Sequence, residues 1–93
     1  MTLLSDAEVS EQLPSGWVRS GTEIKLTTEH KDFASALAFV NVVGGLAESS
    51  NHHPDIQLHS WNKVDLTLST HDEGGITSKD IQLASEINSL RAS

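Results

Sequence analysis

Histidines are concentrated in one part of the sequence, where their side chains could do chemistry together. Four of the five histidines of this 93-residue chain fall between positions 52 and 71. The stretch SSNHHPDIQLHSW places His52 and His53 side by side and adds His59, and the later stretch STHDEGG adds His71. Imidazole has an ordinary pKa of about 6.5, so it exchanges protons at neutral pH, and it is also a common metal ligand. The cluster therefore indicates either a metal site or proton-transfer chemistry.

A metal site does not suit the spacing of these residues. In an extended segment His52 and His53 point to opposite sides, so both cannot bind one ion without a sharp local turn. His53 and His59 can share a face, but the alternation of side chains breaks at Trp61, which predicts a bulge near His59 that turns its imidazole away. The chain also has no cysteine and no HExxH motif. We therefore predict that no metal is bound, and that His59 and His30 are ordinary polar residues.

A predicted hairpin brings the other three imidazoles together. Alternating apolar and polar residues predict a strand over residues 55–59 and a second strand over residues 64–71, joined by a turn at Asn62-Lys63. Because the two strands are antiparallel, the start of the first lies beside the end of the second. The pair His52-His53 precedes the first strand and His71 ends the second, so all three should meet at one edge of the sheet. Because the spacing does not suit a metal ion, this arrangement of three imidazoles favours acid–base chemistry.

Three helices and another hairpin complete the predicted elements. Ser5-Asp6-Ala7-Glu8 has the spacing of a capping box, which starts a short helix that ends before Pro14. Two strands follow around a turn at Gly21-Thr22, and apolar steps of three and four then predict a long helix over residues 31–50. Thr77-Ser78-Lys79-Asp80 starts a last helix. We predict an α+β fold, in which a four-stranded antiparallel sheet of two hairpins carries three helices packed on one face, in the order α-β-β-α-β-β-α.

Size and charge narrow the class of protein. A chain of 93 residues is enough for one core, so residues 1–93 are predicted to form a single domain. Six Lys and Arg against thirteen Asp and Glu give a net charge of −7, which argues against binding a nucleic-acid backbone. The first dozen residues lack a signal-peptide pattern, and the longest uncharged stretch, residues 33–47, is too short to span a bilayer. The sequence predicts a cytoplasmic protein with no membrane and no nucleic-acid partner.

The spacing of the polar residues resembles a known family signature. Three residues separate Glu48 from the run His52-His53-Pro54, and six separate Pro54 from Trp61. Nine residues then separate Trp61 from His71, and eight separate His71 from Asp80. This pattern resembles the signature of the pterin-4a-carbinolamine dehydratases. The family uses two lengths for the gap between Pro54 and Trp61, and six residues is the longer of these lengths. Three segments are similar to the family's long helix, second hairpin and last helix: DFASALAFVNVVGGLAE, WNKVDLTLSTHDEGGIT and KDIQLAS. The resemblance covers nearly the whole chain and is weakest over residues 1–30.

The resemblance implies an enzyme and a reaction. Family members are hydro-lyases that convert 4a-hydroxytetrahydropterins, such as 4a-hydroxytetrahydrobiopterin, to quinonoid dihydropterin and water in tetrahydrobiopterin biosynthesis and recycling, with no cofactor. The implied partners are this substrate, an aromatic amino-acid hydroxylase coupled to the reaction, and further copies of the chain in a homodimer or homotetramer. A molybdopterin-related context stays open. The alternative is a non-catalytic dimerisation or assembly module of the same fold, which would not need the full set of motif residues.

The resemblance also implies roles for the charged and imidazole side chains of the motif. His52 and His71 would donate a proton to the leaving hydroxyl, and His53 would contact the pterin and take a ring proton. Glu48 would hold a histidine by a hydrogen bond, or would be only a solvated charge at the end of a helix. Asp80 would either cap the last helix, where the helix dipole favours an anion, or orient His71.

Four further residues are implied in binding the pterin. Ser69 and Thr70 would offer backbone groups to the amide and amino edge of the ring. Pro54 would fix the direction of the chain after the histidine pair. Trp61 would either form a wall of the pocket or be an aromatic residue of the core.

Overall fold

The structure of the protein, a computed structural model, describes residues 2–92, so Met1 and Ser93, the ends of the predicted domain, lie outside the described residues. The helices and strands follow the predicted order α-β-β-α-β-β-α, with a 3-10 turn added before the last helix. Their bounds are α1 Asp6–Gln12, β1 Val18–Ser20, β2 Glu23–Glu29, α2 Phe33–Ser50, β3 Asp55–His59, β4 Lys63–Leu68, the 3-10 turn His71–Glu73 and α3 Ser78–Ala92.

The four strands form one antiparallel sheet in the order β1-β2-β4-β3. The predicted hairpins are β1–β2 and β3–β4, and the pairing of β2 with β4 joins them. Asp55 at the start of β3 pairs with Thr67 near the end of β4. The segments just outside this pair, which carry the histidines, therefore lie side by side. The predicted α+β architecture is confirmed.

The three helices cover one face of the sheet and share one apolar core with it. On β4 the side chains of Val64, Leu66 and Leu68 are fully buried, while the residues between them face the other side, as the period-two alternation predicts. Buried apolar area stabilises a fold by about 25 cal/mol per Å². This packing holds the strands and helices that position the histidines. The helices contribute Val9, Ala36, Val43, Leu83, Ala84 and Ile87 to the core.

The end of α2 directs the chain into the histidine pair. Asn51 adopts the left-handed conformation, with a φ of 50°, and its N–H donates to the carbonyl of Glu48. The N–H of His52 still donates to the carbonyl of Ala47, at 3.1 Å. These two bonds end the helix sharply and fix the point at which His52 leaves it.

The turn between β3 and β4 differs from the prediction. It lies at Ser60, Trp61 and Asn62 rather than at Asn62-Lys63, and Lys63 is already in β4. Ser60 and Trp61 have φ values of 51° and 59°, and this left-handed pair reverses the chain without the predicted bulge. Asn62 is buried, and its side-chain amide donates to the carbonyl of His30 at 2.9 Å. Asparagine is common in turns, but here its amide ties the turn to the segment after β2.

The end of β4 also differs from the prediction. The strand expected to reach His71 ends at Leu68. Beyond it the carbonyl of Thr70 accepts the N–H groups of Glu73 and Gly74, each at 3.0 Å, and the chain closes into the 3-10 turn. Gly74 ends this turn with a φ of 75°, which glycine adopts without strain. His71 therefore stands on a turn rather than on a strand.

α2 carries apolar side chains that the rest of the chain leaves exposed. Phe33, Leu37 and Val42 are each between 43% and 50% exposed. A Cβ added to Gly44 or Gly45 would meet no other atom within 4 Å, so neither glycine is needed for close packing within the chain. By length and composition alone the 18 residues of α2 are enough to cross a membrane, because the helix extends beyond the uncharged stretch. Core helices of soluble proteins have the same length and composition, so these two properties do not make α2 a membrane-spanning helix.

Candidate active site

The three histidines of the motif line one cavity. The cavity has a volume of about 300 Å³ and lies where the end of α2, the end of β4 and the start of α3 meet. His52, His53 and His71 all line it, which confirms that the hairpin brings them to one edge of the sheet. A cavity of this size suits a small ligand. We call it the histidine cavity, and its other lining residues are Asn51, Ser69, Thr70, Asp72 and Lys79.

His52 is held by a buried carboxylate. Its Nε2 lies 2.6 Å from Oδ1 of Asp80, and the two side chains are only 11% and 0% exposed. The Oδ2 atom of Asp80 accepts two more hydrogen bonds, from the hydroxyl of Thr70 at 2.8 Å and from the N–H of Thr77 at 2.9 Å. A buried charge is costly unless polar partners surround it, and these three bonds supply them. The pair fixes the orientation of the imidazole and leaves Nδ1 as the nitrogen that can exchange a proton with a ligand.

The structure decides between the two roles predicted for Asp80. Asp80 caps α3 as predicted, because it accepts the N–H of Thr77 while the hydroxyl of Thr77 accepts the N–H of Lys79. The second predicted role, orienting His71, is wrong, since the imidazole bonded to Asp80 is that of His52. The reason lies in the local geometry: the 3-10 turn carries His71 to the surface, while the third residue of α3 points inward toward the end of α2.

Glu48 contacts His53 at the exposed side of the histidine cavity. Oε1 of Glu48 lies 3.3 Å from Nε2 of His53, and the two side chains are 80% and 56% exposed. This contact agrees with the expectation that Glu48 holds a histidine. Exposed pairs of this kind contribute at most about 1 kcal/mol, because water screens the charges. His53 is therefore held less firmly than His52 and can turn toward a bound ring.

The residues at the end of β4 support the site more than they face a ligand. The Ser69 hydroxyl donates to the carbonyl of Thr22 at 2.8 Å. The Thr70 hydroxyl donates to Asp80, and the N–H of Thr70 donates to the carbonyl of Gly75 at 2.8 Å. The Thr70 carbonyl is occupied by the 3-10 turn. Thr70 therefore positions Asp80, and its backbone is not available for the pterin contact that the resemblance implied, whereas Ser69 keeps that expectation.

Trp61 and Pro54 lie outside the lining of the histidine cavity. Trp61 is on the β3–β4 turn, at the far end of the hairpin, and is 61% exposed. It is therefore not an aromatic residue of the core, and within one chain it does not wall the cavity. Pro54 directly precedes β3, where its ring restricts the backbone of His53. Its expected role in fixing the chain direction does not require contact with a ligand.

Two residues of the site were not predicted as such from the sequence: Lys79, which lines the histidine cavity, and Thr77, which supports it. Lys79 is the only cationic side chain among the described residues that line the histidine cavity. The sequence could have indicated Lys79 through its position next to Asp80, in the first turn of the last helix. Thr77 is buried and bonds to both Thr70 and Asp80. Its threonine side chain at a predicted helix start indicated a cap, but nothing in the spacing indicated that the cap would support a histidine.

The two remaining histidines lie outside the cavity. Nε2 of His30 is 2.8 Å from the hydroxyl of Thr28, and its ring centroid is 4.9 Å from that of Phe39. Nε2 of His59 is 3.0 Å from Oδ2 of Asp65, within ion-pair distance but outside hydrogen-bond geometry. Both behave as the ordinary polar residues that were predicted. Within residues 2–92, no three His, Cys, Asp or Glu side chains are grouped as a metal ion would require.

Replacing Asp65 with asparagine is expected to lower stability at neutral pH more than in acid. The Thr27 hydroxyl, which donates at 2.9 Å, lowers the pKa of Asp65 below its ordinary 3.8, and His59 lowers the pKa further. Because the folded pKa lies below the unfolded one, the carboxylate stabilises the fold above the unfolded pKa, and this contribution is lost as the pH falls through the folded pKa. For such an exposed, screened group we expect on the order of 0.5 kcal/mol.

Urea unfolding at pH 7 and in acid measures this difference. The variant should be less stable than the native chain at pH 7, and the two should converge as the pH falls well below 3.8. Asp55→Asn, which changes an exposed aspartate on the edge strand β3, is the control and should change little at either pH. A difference that stays the same at both pH values would contradict the account of Asp65.

Fold and site together define a class of protein: an α+β domain that gathers three histidines, one of them backed by a buried carboxylate, around a cavity for a small ligand. The family model described as "Pterin 4 alpha carbinolamine dehydratase" matches residues 2–90. The chain belongs to this family. The resemblance carried by the histidine motif is therefore confirmed.

The relatives found by sequence are provisionally named pterin-4-alpha-carbinolamine dehydratases. One from Roseiflexus castenholzii is 51% identical over 95% of this chain and 96% of its own length. One from Trichormus variabilis is 48% identical over 95% of this chain and 96% of its own length. One from Natronomonas pharaonis is 44% identical, with 94% of each chain covered. The similarity therefore extends over the full length of these relatives.

Two solved structures are similar in fold. The crystal structure of a transcriptional coactivator/pterin dehydratase from Brucella melitensis has a TM-score of 0.89 and 33% identity, over 96% of this chain and 98% of that chain. A pterin dehydratase-like protein described as a RuBisCO assembly factor in the alpha-carboxysome has a TM-score of 0.68 and 18% identity, over 88% of this chain and 95% of that chain. At that identity the second likeness shows the fold alone.

Proposed function

We propose that the protein is a cytoplasmic hydro-lyase that converts a 4a-hydroxytetrahydropterin to quinonoid dihydropterin and water by histidine acid–base catalysis. One observation carries the proposal: three imidazoles line one cavity in a chain of the carbinolamine dehydratase family, and one of them is bonded to a fully buried carboxylate. The reaction would serve tetrahydrobiopterin biosynthesis and recycling, with the substrate supplied by an aromatic amino-acid hydroxylase.

The reaction asks for two proton transfers. Hydroxide is a poor leaving group, so an acid must protonate the C4a hydroxyl while the carbon–oxygen bond breaks and a ring nitrogen lone pair pushes from the other side. A proton must then leave a ring N–H. Positioned acid–base groups typically contribute about 10²- to 10⁴-fold to such a step. Loss of water from the carbinolamine involves no oxidation or reduction. The proposed reaction therefore uses no cofactor.

The two best candidates for the acid come from different elements. His52 follows α2, and Asp80 holds its Nε2, so Nδ1 is the nitrogen that reaches the substrate. The Asp80 carboxylate also supplies the negative charge that balances the imidazolium from which His52 would donate its proton. His71 stands exposed on the 3-10 turn and lines the same cavity. Each would protonate a hydroxyl that rises from its own side of the flat ring.

His53 is the candidate for the base. It lines the same cavity, and its contact with the Glu48 carboxylate would orient the ring and favour acceptance of a proton. The weak hold of this exposed pair lets the imidazole follow the ring edge as bonds change. Ser69 would bind the amide and amino edge of the pterin through its backbone.

The protein is further proposed to act as a homodimer or homotetramer. Two surfaces support this. β3 pairs with no second neighbour among the described strands, so its outer edge can extend the sheet of another copy. The exposed apolar side chains of α2, with the Gly44-Gly45 pair open to close approach, offer a second contact.

A non-catalytic assembly module is the alternative function. It is favoured by the structural neighbour described as a RuBisCO assembly factor, which shares the fold at 18% identity. An assembly module does not require a histidine held 2.6 Å from a buried carboxylate, so the His52–Asp80 pair favours the enzyme. A chain that binds partner proteins but leaves carbinolamine decay unchanged would support the module.

The enzyme proposal is tested by following carbinolamine decay in a stopped-flow instrument with chelator-treated protein. The protein should accelerate formation of quinonoid dihydropterin, and exhaustive treatment with EDTA should leave the rate unchanged, because histidines rather than a metal supply the acid. Loss of activity on chelation, restored by one divalent ion, would show that a metal takes part. Decay at the spontaneous rate with micromolar protein would overturn the proposal.

A further inference from the structure

The outer edge of β3 is open in the single chain. β3 lies at one end of the sheet and pairs only with β4 among the described strands. Its polar residues Asp55, Gln57 and His59 lie on the face of the sheet opposite the helices. On the other face Leu58 packs against the core, while Ile56 is still 36% exposed. An open edge with an exposed apolar side chain can pair with a strand of another chain.

The sequence of β3 is complementary to itself when two copies run antiparallel. Only the register that sets Gln57 opposite the partner's Gln57 pairs all five residues of the strand. In this register Asp55 faces the partner's His59, so an acid meets a base. Ile56 faces the partner's Leu58, so apolar area is buried. Each contact occurs twice because the pair is two-fold symmetric. The exposed Asp–His contact helps to fix the register, and its energy is small because water screens it.

The same register carries Trp61 toward the site of the other copy. Beyond the paired strands His53 comes opposite the partner's Trp61, with one pair, Pro54 and the partner's Ser60, in between. Neighbouring strands lie about 4.8 Å apart. His53 lines the histidine cavity, and its side chain is 56% exposed. An indole ring from the partner therefore reaches the exposed side of the cavity.

The conformation of Trp61 suits a contact made outside its own chain. Its φ of 59° lies in the left-handed region, which is unfavourable for a bulky residue. A tight hairpin turn calls for such a φ, but glycine and asparagine adopt it at lower cost. The side chain is 61% exposed, so contacts within the chain do little to offset the strain. A flat indole held in this way can stack on a flat heterocyclic ring.

We propose that two copies pair through β3 in this register, and that Trp61 of the partner subunit covers the histidine cavity and stacks on the pterin ring. The inference rests on the proposed dehydratase function and homodimer, and it adds a residue that the partner contributes to the site. Trp61 binds the ring and takes no part in proton transfer. Trp61 is then a wall of the pocket between two chains rather than within one.

Cysteine cross-linking tests the register. The chain contains no cysteine, so an introduced thiol can pair only with its own copy. In the proposed register the Cα atoms of the two Gln57 residues are about 4.5–5.5 Å apart, within the range of a disulfide. Gln57→Cys should therefore form disulfide-linked dimers on mild oxidation. Asp55→Cys is the matched control, since its two copies would be roughly 13 Å apart along the strands and should not cross-link. Cross-linking of the control instead, or of neither variant, would overturn the proposal.

Mixed dimers test the contribution of Trp61 to the partner's site. Trp61→Ala should raise the KM for a 4a-carbinolamine by about 3- to 10-fold with kcat little changed, the effect of a lost aromatic contact. Val18→Ala, at an exposed apolar residue of the opposite edge strand, is the control and should alter neither constant. The Trp61→Ala chain is then refolded together with the His52→Ala/His71→Ala chain. In mixed dimers the intact histidines of the first chain receive Trp61 from the second, so the native KM should return.

The outcomes separate the inference from the proposed function. A native KM in Trp61→Ala, or a raised KM that mixing does not restore, would overturn the inference and leave the dehydratase standing. A native protein that does not accelerate carbinolamine decay would overturn the dehydratase and the inference together, whether or not Gln57→Cys cross-links.

Discussion

Replacing His52 with alanine is expected to slow dehydration of one C4a epimer by about 10- to 10³-fold and to leave the other epimer nearly unaffected. His71→Ala should show the opposite preference. C4a is stereogenic, so the hydroxyl rises from one side of the flat ring or the other, and one fixed acid reaches only one of these positions within hydrogen-bond distance. The two histidines come from different elements, after α2 and after β4, and both line the cavity.

The measurement is the decay rate of each resolved epimer with each single variant. The double variant should approach the spontaneous rate with both epimers. His59→Ala is the matched control, since His59 also stands 3.0 Å from an aspartate but lies outside the cavity. Equal losses on both epimers in both single variants would contradict the division of labour.

Asp80→Asn is expected to lower kcat by about 10- to 100-fold, with little change in KM. The Thr70 hydroxyl and the Thr77 N–H both donate to Oδ2 of Asp80, so in the variant they would hold the amide oxygen on their side. The amide NH₂ would then face Nε2 of His52, which must become an acceptor. The imidazole proton would move to Nδ1, the wrong tautomer for the proposed cycle, and no carboxylate would remain to balance the imidazolium.

Two readouts separate this effect from mere unfolding. The ¹⁵N chemical shifts of His52 should report the change of tautomer, and the loss of rate should fall mainly on the epimer that depends on His52. Asp65→Asn is the control, because it removes the carboxylate of the other His–Asp pair and should leave kcat unchanged. A folded Asp80→Asn protein with native kcat, or with the native tautomer at His52, would show that Asp80 is only a helix cap.

The sequence was sufficient to predict that the three histidines meet at one edge of the sheet. The alternation of apolar residues on β4 fixed which face of the hairpin is buried, and antiparallel pairing then placed the start of β3 beside the end of β4. The caps of α1 and α3 are local as well, since Ser5 and Thr77 each bond to backbone groups within three residues. Such features depend on periodicity and on short-range hydrogen bonds, which a sequence displays directly.

The partner of Asp80 could not be predicted in the same way. His52 and Asp80 are 28 residues apart, and their contact depends on how α3 is rotated against the end of α2. The 3-10 turn that carries His71 away from Asp80 arises from hydrogen bonds to the Thr70 carbonyl, which side-chain patterns do not reveal. The same is true of the β3–β4 turn, where the backbone of Ser60 and Trp61 is left-handed although neither residue favours that conformation.

The central claim is that imidazoles of this chain protonate the C4a hydroxyl, and one side-by-side measurement tests it most directly. Decay of a 4a-carbinolamine is followed by stopped-flow absorbance with buffer alone, with the native protein and with the His52→Ala/His71→Ala double variant, all at the same micromolar concentration and with chelator present. The account predicts rapid formation of quinonoid dihydropterin with the native protein and decay at the buffer rate with the double variant. A native protein no faster than buffer, or a folded double variant as fast as the native protein, would contradict it.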